Sequence, residues 1–246
     1  MHRLYCPAKN ISGINITLDD KEQVHHAKNV LRIKIGEEVI IFDDKGSEYR
    51  SVLGELLPES IIFRIKEKSN SFVNHPEAKV TIACAIPKAS HMDEIVDKLT
   101  QLGVGAIIPM ETERVIVKLD KRKKMLRQAR WKKIILNASQ QSQRNTLPVL
   151  EPIMNIEEVL LKSSNYDLKL IPTLTGQRQA LKGILAKNNA KNILVLIGPE
   201  GDFTDEEVNL AKKSGFLPVS LGHLVLRVET AAVSVASFIR LYHENS

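Results

Sequence analysis

The chain has 246 residues, 43% of them hydrophobic, so it can bury either one large core or two modest ones. Its 35 lysines and arginines exceed its 29 acidic residues, and the net charge of +6 suits an anionic partner without identifying one. The two cysteines, Cys6 and Cys84, exclude a disulfide framework, and no stretch is long and apolar enough to span a bilayer. We therefore expect a cytoplasmic protein without a structural metal.

The first part of the chain has the pattern of a small all-β domain. Residues 39–65 contain three short runs rich in β-branched and aromatic residues, separated at 43–46 and 58–60 by turn-forming residues. This pattern predicts a β-meander or a small barrel. Residues 66–78 are polar and show no periodicity, so we place the domain boundary there, with domains over 1–72 and 73–246.

The second part alternates between buried-type strands and helical segments. Strands are predicted at 79–87, 105–110, 168–174 and 192–198, and helices at 90–102, 121–141, 177–188 and 204–214. Two of the helix starts have the spacing of capping boxes, Ser90 with Asp93 and Thr204 with Glu207. Alternation of this kind predicts a mostly parallel α/β sheet.

A glycine-containing turn follows the strand at 192–198. Gly198 and Gly201 allow a tight turn at the carboxyl end of that strand, which is the edge where open α/β sheets bind ligands. The turn has neither the glycine spacing of a dinucleotide-binding loop nor the lysine of a P-loop, so a nucleoside triphosphate is not indicated. An ordinary strand-to-helix turn is the alternative.

Arg227 and Glu229 precede a helical segment that is apolar on almost every face. Because buried charges need partners, they form either an ion pair that caps this helix or a pair held at the floor of a functional site. In the helix, apolar residues repeat at spacings of four, three and four, at Ala231, Val235, Phe238 and Tyr242. We predict a homodimer through this stripe, with a core helix wrapped by its own chain as the alternative.

The strongest charge pattern lies in residues 114–133, which carry ten basic residues and one acid, Asp120. The net charge of this segment, +9, exceeds that of the whole chain, so the positive charge is local. Such a concentration predicts a phosphate-binding surface, with a solvated helix face as the alternative. Trp131, within the segment, belongs either to the core or to a surface that covers a base.

Two weaker candidates for RNA contact lie elsewhere in the chain. His25 and His26 could line an RNA surface, although a structural role is the stronger alternative, and their spacing does not suit a metal. The polar stretch 137–144 could bond to phosphates or base edges, or could be a frayed helix end before Pro148.

Several motifs along the chain belong together. They are HRLYC at 2–6, HHAKNVLR at 25–32, KLTQLGV at 98–104, TER at 112–114, ASQQS at 138–142, IGPEG at 197–201 and LGHLVLRVETA at 221–231. Together they resemble the RsmE family, the SPOUT-class enzymes that methylate N3 of a uridine in the 16S ribosomal RNA of the bacterial small subunit. The chain departs from the family pattern at Asp202, where a second Gly is common, at Val228, where Thr is common, and at Asn137 and Gln140, where acids are common.

The resemblance implies a PUA-like barrel followed by an α/β domain with a trefoil knot, a homodimer, S-adenosyl-L-methionine as cofactor, and 16S ribosomal RNA or the small ribosomal subunit as partner. It places the cofactor pocket at Pro172, Thr173, Leu174, Gly198, Pro199, Glu200, Gly201, Leu221, Gly222, Leu224, Leu226 and Arg227. The charge pattern and the motifs together assign RNA contacts to Arg3, His25, Lys28, Arg32, Arg114, Lys121, Arg122, Lys123, Lys124, Arg127 and Arg144. We expect no metal and no membrane contact.

Methyl transfer to N3 of uracil requires that its proton leaves and that the negative charge on the ring oxygens is stabilised. Arg227 is the candidate for that cation, with Glu229 orienting it, and the base has to be flipped out of its stack. Two other functions stay open: a non-catalytic ribosome-assembly factor with a vestigial pocket, and methylation of transfer RNA by a related knotted enzyme.

Overall fold

The computed structural model describes residues 1–69, 78–88, 91–114, 120–174 and 176–244, and the chain divides into two compact units. The first unit comprises Met1–Val73 and Leu136–Leu147, and the second comprises Asn74–Ile135 and Pro148–Ser246. The boundary predicted between residues 72 and 73 lies outside the described residues. The first unit therefore includes a late segment of the chain that no sequence pattern assigned to it.

The first unit is built on one six-stranded sheet. Its strands are β1 (His2–Tyr5), β2 (Ile11–Ser12), β3 (Asn15–Leu18), β4 (Glu38–Phe42), β5 (Glu48–Leu56) and β6 (Ile61–Ser69). They pair in the order β1-β4-β5-β6-β3-β2, and only the pair of β1 and β4 is parallel. The predicted meander is confirmed as β4, β5 and β6. Of the other three strands, β3 alternates between exposed and buried residues, but its four residues are the shortest run that this criterion covers.

One helix covers the apolar core of this sheet. Helix α1 (Lys21–His25) begins after Asp20, whose carboxylate accepts a hydrogen bond from the backbone N–H of Gln23 at 2.9 Å. It contributes Val24 to a core that contains Phe63 of β6. The chain then continues as a π-helical turn over His26–Val30. Such turns are frequent at functional sites, and this one carries most of the HHAKNVLR motif.

The second unit is built on a parallel sheet. Its strands are β7 (Lys79–Ala85), β8 (Ala106–Glu111), β9 (Val149–Leu150), β10 (Met154–Asn155), β11 (Leu168–Pro172), β12 (Gln179–Ala180), β13 (Asn192–Ile197) and β14 (Leu217–Ser220). Their order is β10-β8-β7-β13-β11-β14-β12, and β9 also pairs with β8. Every pairing is parallel, which confirms the predicted sheet.

Among the described residues, six helices begin in this unit. They are α2 (His91–Gln101), α3 (Lys121–Gln141), α4 (Ile156–Leu161), α5 (Leu181–Leu185), α6 (Asp205–Lys213) and α7 (Val228–Glu244). The last turns of α3 belong to the first unit. The helices predicted at 90–102, 121–141 and 204–214 are confirmed, and the capping box of Thr204 and Glu207 is present. The other predicted box involves Ser90, which lies outside the described residues. No helix among the described residues is long and apolar enough to cross a membrane.

The helix predicted at 177–188 is wrong in its bounds. Residues Gln179–Ala180 form strand β12, which pairs with Val219 and Ser220 of β14, and only the five residues of α5 are α-helical. Tertiary pairing with β14 therefore takes the residues that the periodicity assigned to a first helical turn. The tertiary contact overrides the local helical preference.

Helix α7 buries one face and exposes another. Its buried apolar residues are Val228, Ala232, Val235, Ala236 and Ile239. Phe238 and Leu241 are 40% and 56% exposed. The predicted partner-facing stripe therefore needs correction, because Val235 lies in the core of its own unit whereas Leu241 is available at the surface.

Candidate active site

Three loops meet at one edge of the parallel sheet. Strands β13, β11 and β14 are neighbours that run in the same direction, so the loops that follow Ile197, Pro172 and Ser220 leave from the same edge. They border an open cavity. The carboxyl edge of a parallel α/β sheet is where ligands bind.

The cavity is lined by these loops and by the start of α7. The lining residues are Pro172, Thr173, Leu174, Arg178, Ile197, Gly198, Pro199, Glu200, Asp202, Leu221, Gly222, Leu224, Val225, Leu226, Val228 and Ala231. Of the residues predicted for the cofactor pocket, Gly201 and Arg227 are not part of this lining. Sequence reasoning missed six lining residues, four of which directly adjoin predicted ones. Extending each predicted segment by one residue would have found those four; Arg178 and Ala231 carried no signal.

Gly198 is required by the packing around its turn. A Cβ atom at this position would lie 3.0 Å from two ring carbons of Phe203 and 3.4 Å from a carboxylate oxygen of Asp202. Phe203 is only 4% exposed and belongs to the apolar core, so its ring has little room to move. Gly222 serves a different purpose, because its φ of +121° is a backbone conformation that favours glycine.

Asp202 joins two of the three loops. Its carboxylate accepts hydrogen bonds from the backbone N–H of Leu174 at 2.8 Å and from that of Phe203 at 2.9 Å. Its φ of +60° lies in the left-handed region, which glycine adopts freely and which Asp and Asn tolerate better than most residues. This conformation accounts for an aspartate at a position where the family commonly has glycine.

Arg114, which follows strand β8, binds the same turn. Its guanidinium donates hydrogen bonds to the carbonyl oxygens of Gly201 at 2.7 Å and Phe203 at 3.4 Å. The neighbouring Glu113 donates its backbone N–H to the buried carboxylate of Glu207, at 2.9 Å. Glu113 and Arg114 thus fix this turn and the start of α6. Arg114 is exposed, and its RNA contact stays a prediction.

Arg227 and Glu229 do not form the predicted ion pair. Arg227 is exposed at the amino-terminal end of α7, and Glu229 is half-buried in the first turn. Among the described residues, no hydrogen bond or ion pair joins the two side chains. The expectation of a buried arginine oriented by Glu229 is therefore wrong. The Arg227 side chain is instead accessible, between the lining residues Leu226 and Val228.

Two carboxylates influence Cys84, at the carboxyl-terminal part of β7. Burial raises the pKa of the Cys84 thiol well above its ordinary value, and the negative charges of Glu200 and Glu229 raise it further. Glu200 also accepts a hydrogen bond from the backbone N–H of Lys88 at 3.2 Å. The thiol stays protonated at neutral pH, so Cys84 is not an activated nucleophile.

A second concavity lies towards the amino ends of the strands of the second unit. Its lining includes Lys79 of β7, Asn192 of β13 and Glu151. Because parallel α/β sheets bind ligands at the carboxyl ends of their strands, we assign the cofactor to the first cavity. Within the described part of the chain, no three His, Cys, Asp or Glu side chains are grouped to hold a metal ion.

The predicted basic segment forms an exposed face at the start of α3. Residues 121–123 are exposed and Arg127 is half-buried. Lys124 is ion-paired with Glu111 at 2.7 Å, and Lys123 with Asp120 at 3.5 Å. The pair of Lys123 and Asp120 is exposed and therefore weak, so the positive charge of residues 121–123 remains available to a polyanion. The pair of Lys124 and Glu111 is half-buried.

Trp131 belongs to the core and not to a base-stacking surface. It is 1% exposed, and its indole N–H donates a hydrogen bond to the carboxylate of Asp93 at 3.0 Å. The same carboxylate forms an ion pair with Arg130. This arrangement anchors α3 on α2 and leaves the residues before Trp131 to form the basic face.

In the first unit, Arg3 is bonded internally. Its guanidinium donates hydrogen bonds to the carboxylate of Glu48 at 2.8 Å and to the side-chain oxygen of Asn145, and it lies over the ring of Phe42. We therefore withdraw Arg3 from the RNA-binding residues. Arg144, whose carbonyl oxygen also accepts from Arg3, is half-buried.

Other predicted RNA residues of the first unit divide between structural and exposed positions. Lys28 donates hydrogen bonds to the carbonyl oxygens of Leu57 and Pro58, so it holds the turn between β5 and β6. His25 and Arg32 are exposed. They bracket the π-helical turn, and the His25 ring forms a hydrogen bond with the side-chain amide of the exposed Asn29 at 2.9 Å.

The polar stretch 137–144 is not a frayed helix end. Helix α3 continues to Gln141, and Gln140 is buried. The side-chain amide of Gln140 donates a hydrogen bond to the side-chain oxygen of Gln23 at 2.9 Å, within the first unit. An amide pair at this position explains why Gln140 replaces the acid that is common there, since both members can be satisfied without a charge.

Comparison with known proteins decides the family. Residues 74–240 match a family model described as an RNA methyltransferase domain, and residues 18–66 match an RNA methyltransferase PUA domain. A ribosomal RNA small subunit methyltransferase E from Bacillus subtilis is 30% identical over 223 residues, which are 89% of this chain and 87% of the relative. The chain belongs to the ribosomal RNA small subunit methyltransferase E family. This confirms the predicted family and the predicted order of domains.

Solved structures of similar proteins include members with bound cofactor. A methyltransferase E from Neisseria gonorrhoeae, bound to S-adenosyl methionine, has a TM-score of 0.87 and 30% identity, with 98% of each chain covered. A Legionella pneumophila protein described as a methyltransferase, in complex with the same cofactor, has a TM-score of 0.89 and 31% identity, with 98% of this chain and 97% of that chain covered. A solved member of the methyltransferase E family with S-adenosyl methionine bound therefore shares the fold of this chain.

Proposed function

We propose that this protein transfers a methyl group from S-adenosyl-L-methionine to N3 of a uridine in the 16S ribosomal RNA of the small subunit. The observation that carries the proposal is the cavity at the carboxyl ends of β11, β13 and β14, in a chain of the methyltransferase E family. We also propose that the loops around this cavity form the trefoil knot. The three loops follow neighbouring strands of the sheet and leave from the same edge.

The cavity residues fit the cofactor. Pro172, Thr173, Leu174 and the glycine turn line it, and the backbone of the turn can bond the edge of an adenine. The N–H groups of Thr173 and Leu174 already donate to Val219 and Asp202. Leu221, Leu224 and Leu226 supply apolar surface. When bound, S-adenosylmethionine supplies an electrophilic methyl group, so the protein's tasks are positioning and management of charge.

Arg227 is proposed to stabilise the uracil anion. Its guanidinium is exposed beside the cavity lining and can approach the ring oxygens of an incoming base, where negative charge develops as the N3 proton leaves. Because Arg227 is at the surface and makes no ion pair with Glu229, it is available for that contact. Neutralisation of developing charge by a fixed cation is commonly among the larger contributions to catalysis.

RNA is proposed to bind through two surfaces. One is the basic face of α3, which has three exposed cations in succession at 121–123. The other is the π-helical turn of the first unit, with His25 and Arg32 exposed. We retain the division into an RNA-binding domain over 1–72 and a catalytic domain over 73–246, with 136–147 added to the first.

The protein is proposed to act as a homodimer in the cytoplasm. Phe238 and Leu241 are exposed on α7, and Leu224 and Val225 of the neighbouring loop are 80% and 73% exposed. Exposed apolar side chains on a helix and on a loop are surfaces that a partner chain can cover. Because the loop also lines the cavity, a partner covering it would complete the active site.

Isothermal titration with S-adenosylmethionine, followed by methyl-transfer assays, tests the proposed function. We expect saturable binding of one cofactor per chain, and transfer to small ribosomal subunits in preference to transfer RNA. Cofactor binding without transfer would favour an assembly factor. Preferential transfer to transfer RNA would assign the chain to another activity of the superfamily.

A further inference from the structure

Asp202 lines the cofactor cavity and braces two of its loops at the same time. Its carboxylate accepts backbone hydrogen bonds from Leu174 at 2.8 Å and Phe203 at 2.9 Å, one from each loop. The residue is half-buried, so the carboxylate is partly shielded from water. Charges in such positions act more strongly on a bound ligand than fully solvated ones do.

The charged residues in the cavity wall are two acids and one base. They are Glu200, Asp202 and Arg178. The guanidinium of Arg178 donates a hydrogen bond to the carbonyl oxygen of Thr173 at 3.0 Å, which holds it at the rim of the same loop. Among the lining residues that the structure describes, the excess is one negative charge, which favours a cationic ligand over a neutral one of the same shape. The exposed Arg227 lies beside this lining and not in it.

S-adenosylmethionine and S-adenosylhomocysteine differ in charge, and a negatively charged wall can distinguish them. In methyl transfer the bond between the methyl carbon and sulfur breaks as the bond to N3 forms, and the electron pair stays on sulfur. The N3 proton leaves to solvent. The positive sulfonium of S-adenosylmethionine thereby becomes the neutral thioether of S-adenosylhomocysteine, whose other groups are unchanged.

We propose, resting on the proposed function, that Asp202 is a specificity residue that favours S-adenosylmethionine over S-adenosylhomocysteine by charge. Its carboxylate attracts the cationic cofactor and loses that attraction once the methyl group has been transferred. Glycine would adopt the left-handed backbone at this position without strain. The turn conformation by itself therefore does not require an aspartate side chain. The bracing hydrogen bond to Leu174 acts equally on cofactor and product, whereas the charge does not.

The test compares the affinities of both ligands for the full chain by isothermal titration. Asp202→Asn keeps a residue that tolerates the left-handed conformation, removes the charge and retains one of the two oxygens that accept backbone hydrogen bonds. We expect it to bind S-adenosylmethionine roughly fivefold more weakly relative to S-adenosylhomocysteine, as one partly screened charge would produce. Asp205→Asn is the matched control, because Asp205 is an exposed acid three residues along that is not part of the cavity lining. Its affinity ratio should equal that of the unchanged protein.

Asp202→Gly shows what the hydrogen bonds of the carboxylate add to the effect of its charge. Glycine fits the backbone and removes both the carboxylate and its hydrogen bonds, so we expect weaker binding of both ligands together with the same change in their ratio. If Asp202→Asn changes neither affinity, or weakens both to the same extent, Asp202 is only a brace and the inference is overturned. Failure of the unchanged protein to bind either ligand would instead contradict the proposed function.

Discussion

The guanidinium of Arg114 donates a hydrogen bond to the carbonyl oxygen of Gly201 at 2.7 Å. Arg114 follows β8, whereas Gly201 follows β13, and strand β7 lies between those two strands in the sheet. The bond therefore connects a segment outside the cavity to a loop that forms it. It gives an arginine of the basic segment a structural role beside the cavity.

Arg114→Ala is expected to weaken cofactor binding and to leave RNA binding almost unchanged. Loss of two hydrogen bonds frees the turn, and since one of them is short and charge-assisted we expect a cost of about 1 kcal/mol in cofactor affinity. Isothermal titration measures this. Arg122→Ala, which removes an exposed cation on α3, is the control. The opposite pattern, with Arg114→Ala affecting only RNA affinity, would support its assignment to the RNA surface.

Gly198→Ala should damage the cavity through Phe203. The added methyl group meets the ring at 3.0 Å, and overpacking of a core typically costs about 1–3 kcal/mol of unfolding free energy. We expect a lower melting temperature together with weaker cofactor binding. Gly183→Ala, in α5, is the control, because the space around its added Cβ is open among the described residues. Gly183→Ala should be neutral or stabilise by up to about 1 kcal/mol. Normal stability of Gly198→Ala would show that the turn adapts freely.

Sequence alone predicted the strands and helices with strong periodicity and most of the residues around the cavity. It succeeded at the glycine turn because glycine spacing and a capping box identify the carboxyl end of a strand locally. It failed at β12, where pairing with β14 replaces a helical turn. It also failed at Arg227, because a sequence shows that a charge adjoins an apolar helix but not whether that charge faces water. The bond of Arg114 to Gly201 spans 87 residues and left no local pattern.

Neutralising the basic face of α3 should reduce the salt dependence of RNA binding. Each phosphate contact removed lowers the slope of log affinity against log salt by roughly 0.7–0.9, so Lys121→Ala, Arg122→Ala and Arg127→Ala together should lower it by about 2. Cofactor binding should stay the same. A matched triple variant at Lys182, Lys187 and Lys213, exposed on α5 and α6 or just beyond, is expected to leave the slope unaltered. Equal slopes of log RNA affinity against log salt for both triple variants would show that the α3 face is only a solvated surface.

Exposed apolar residues of α7 should govern oligomeric state. Phe238→Glu combined with Leu241→Glu places two charges on the face that we assign to the dimer, and burial of unpaired charge disfavours association. Sedimentation equilibrium should show a dimer for the unchanged protein and a monomer for the variant. Leu161→Glu is the control, since Leu161 is 81% exposed on α4. If the unchanged protein is a monomer with full activity, the proposal of a homodimer is wrong.

Arg227→Ala should abolish methyl transfer without unfolding the protein. Because Arg227 is exposed, its truncation should change the unfolding free energy by no more than about 0.5 kcal/mol. Loss of a charge-stabilising group typically lowers the rate by about 100-fold to 1,000-fold. Arg227→Lys should recover part of that rate, since it keeps the charge but not the fork of donors. A large fall in melting temperature, with full activity of the folded fraction, would make Arg227 a helix cap.

Nucleoside mass spectrometry of 16S ribosomal RNA, after incubation of unmethylated small subunits with the protein and S-adenosylmethionine, tests the central claim most directly. The account predicts one new 3-methyluridine per 16S RNA, dependent on both the cofactor and Arg227. Methylation at another atom, or only in RNA from outside the small subunit, would contradict it.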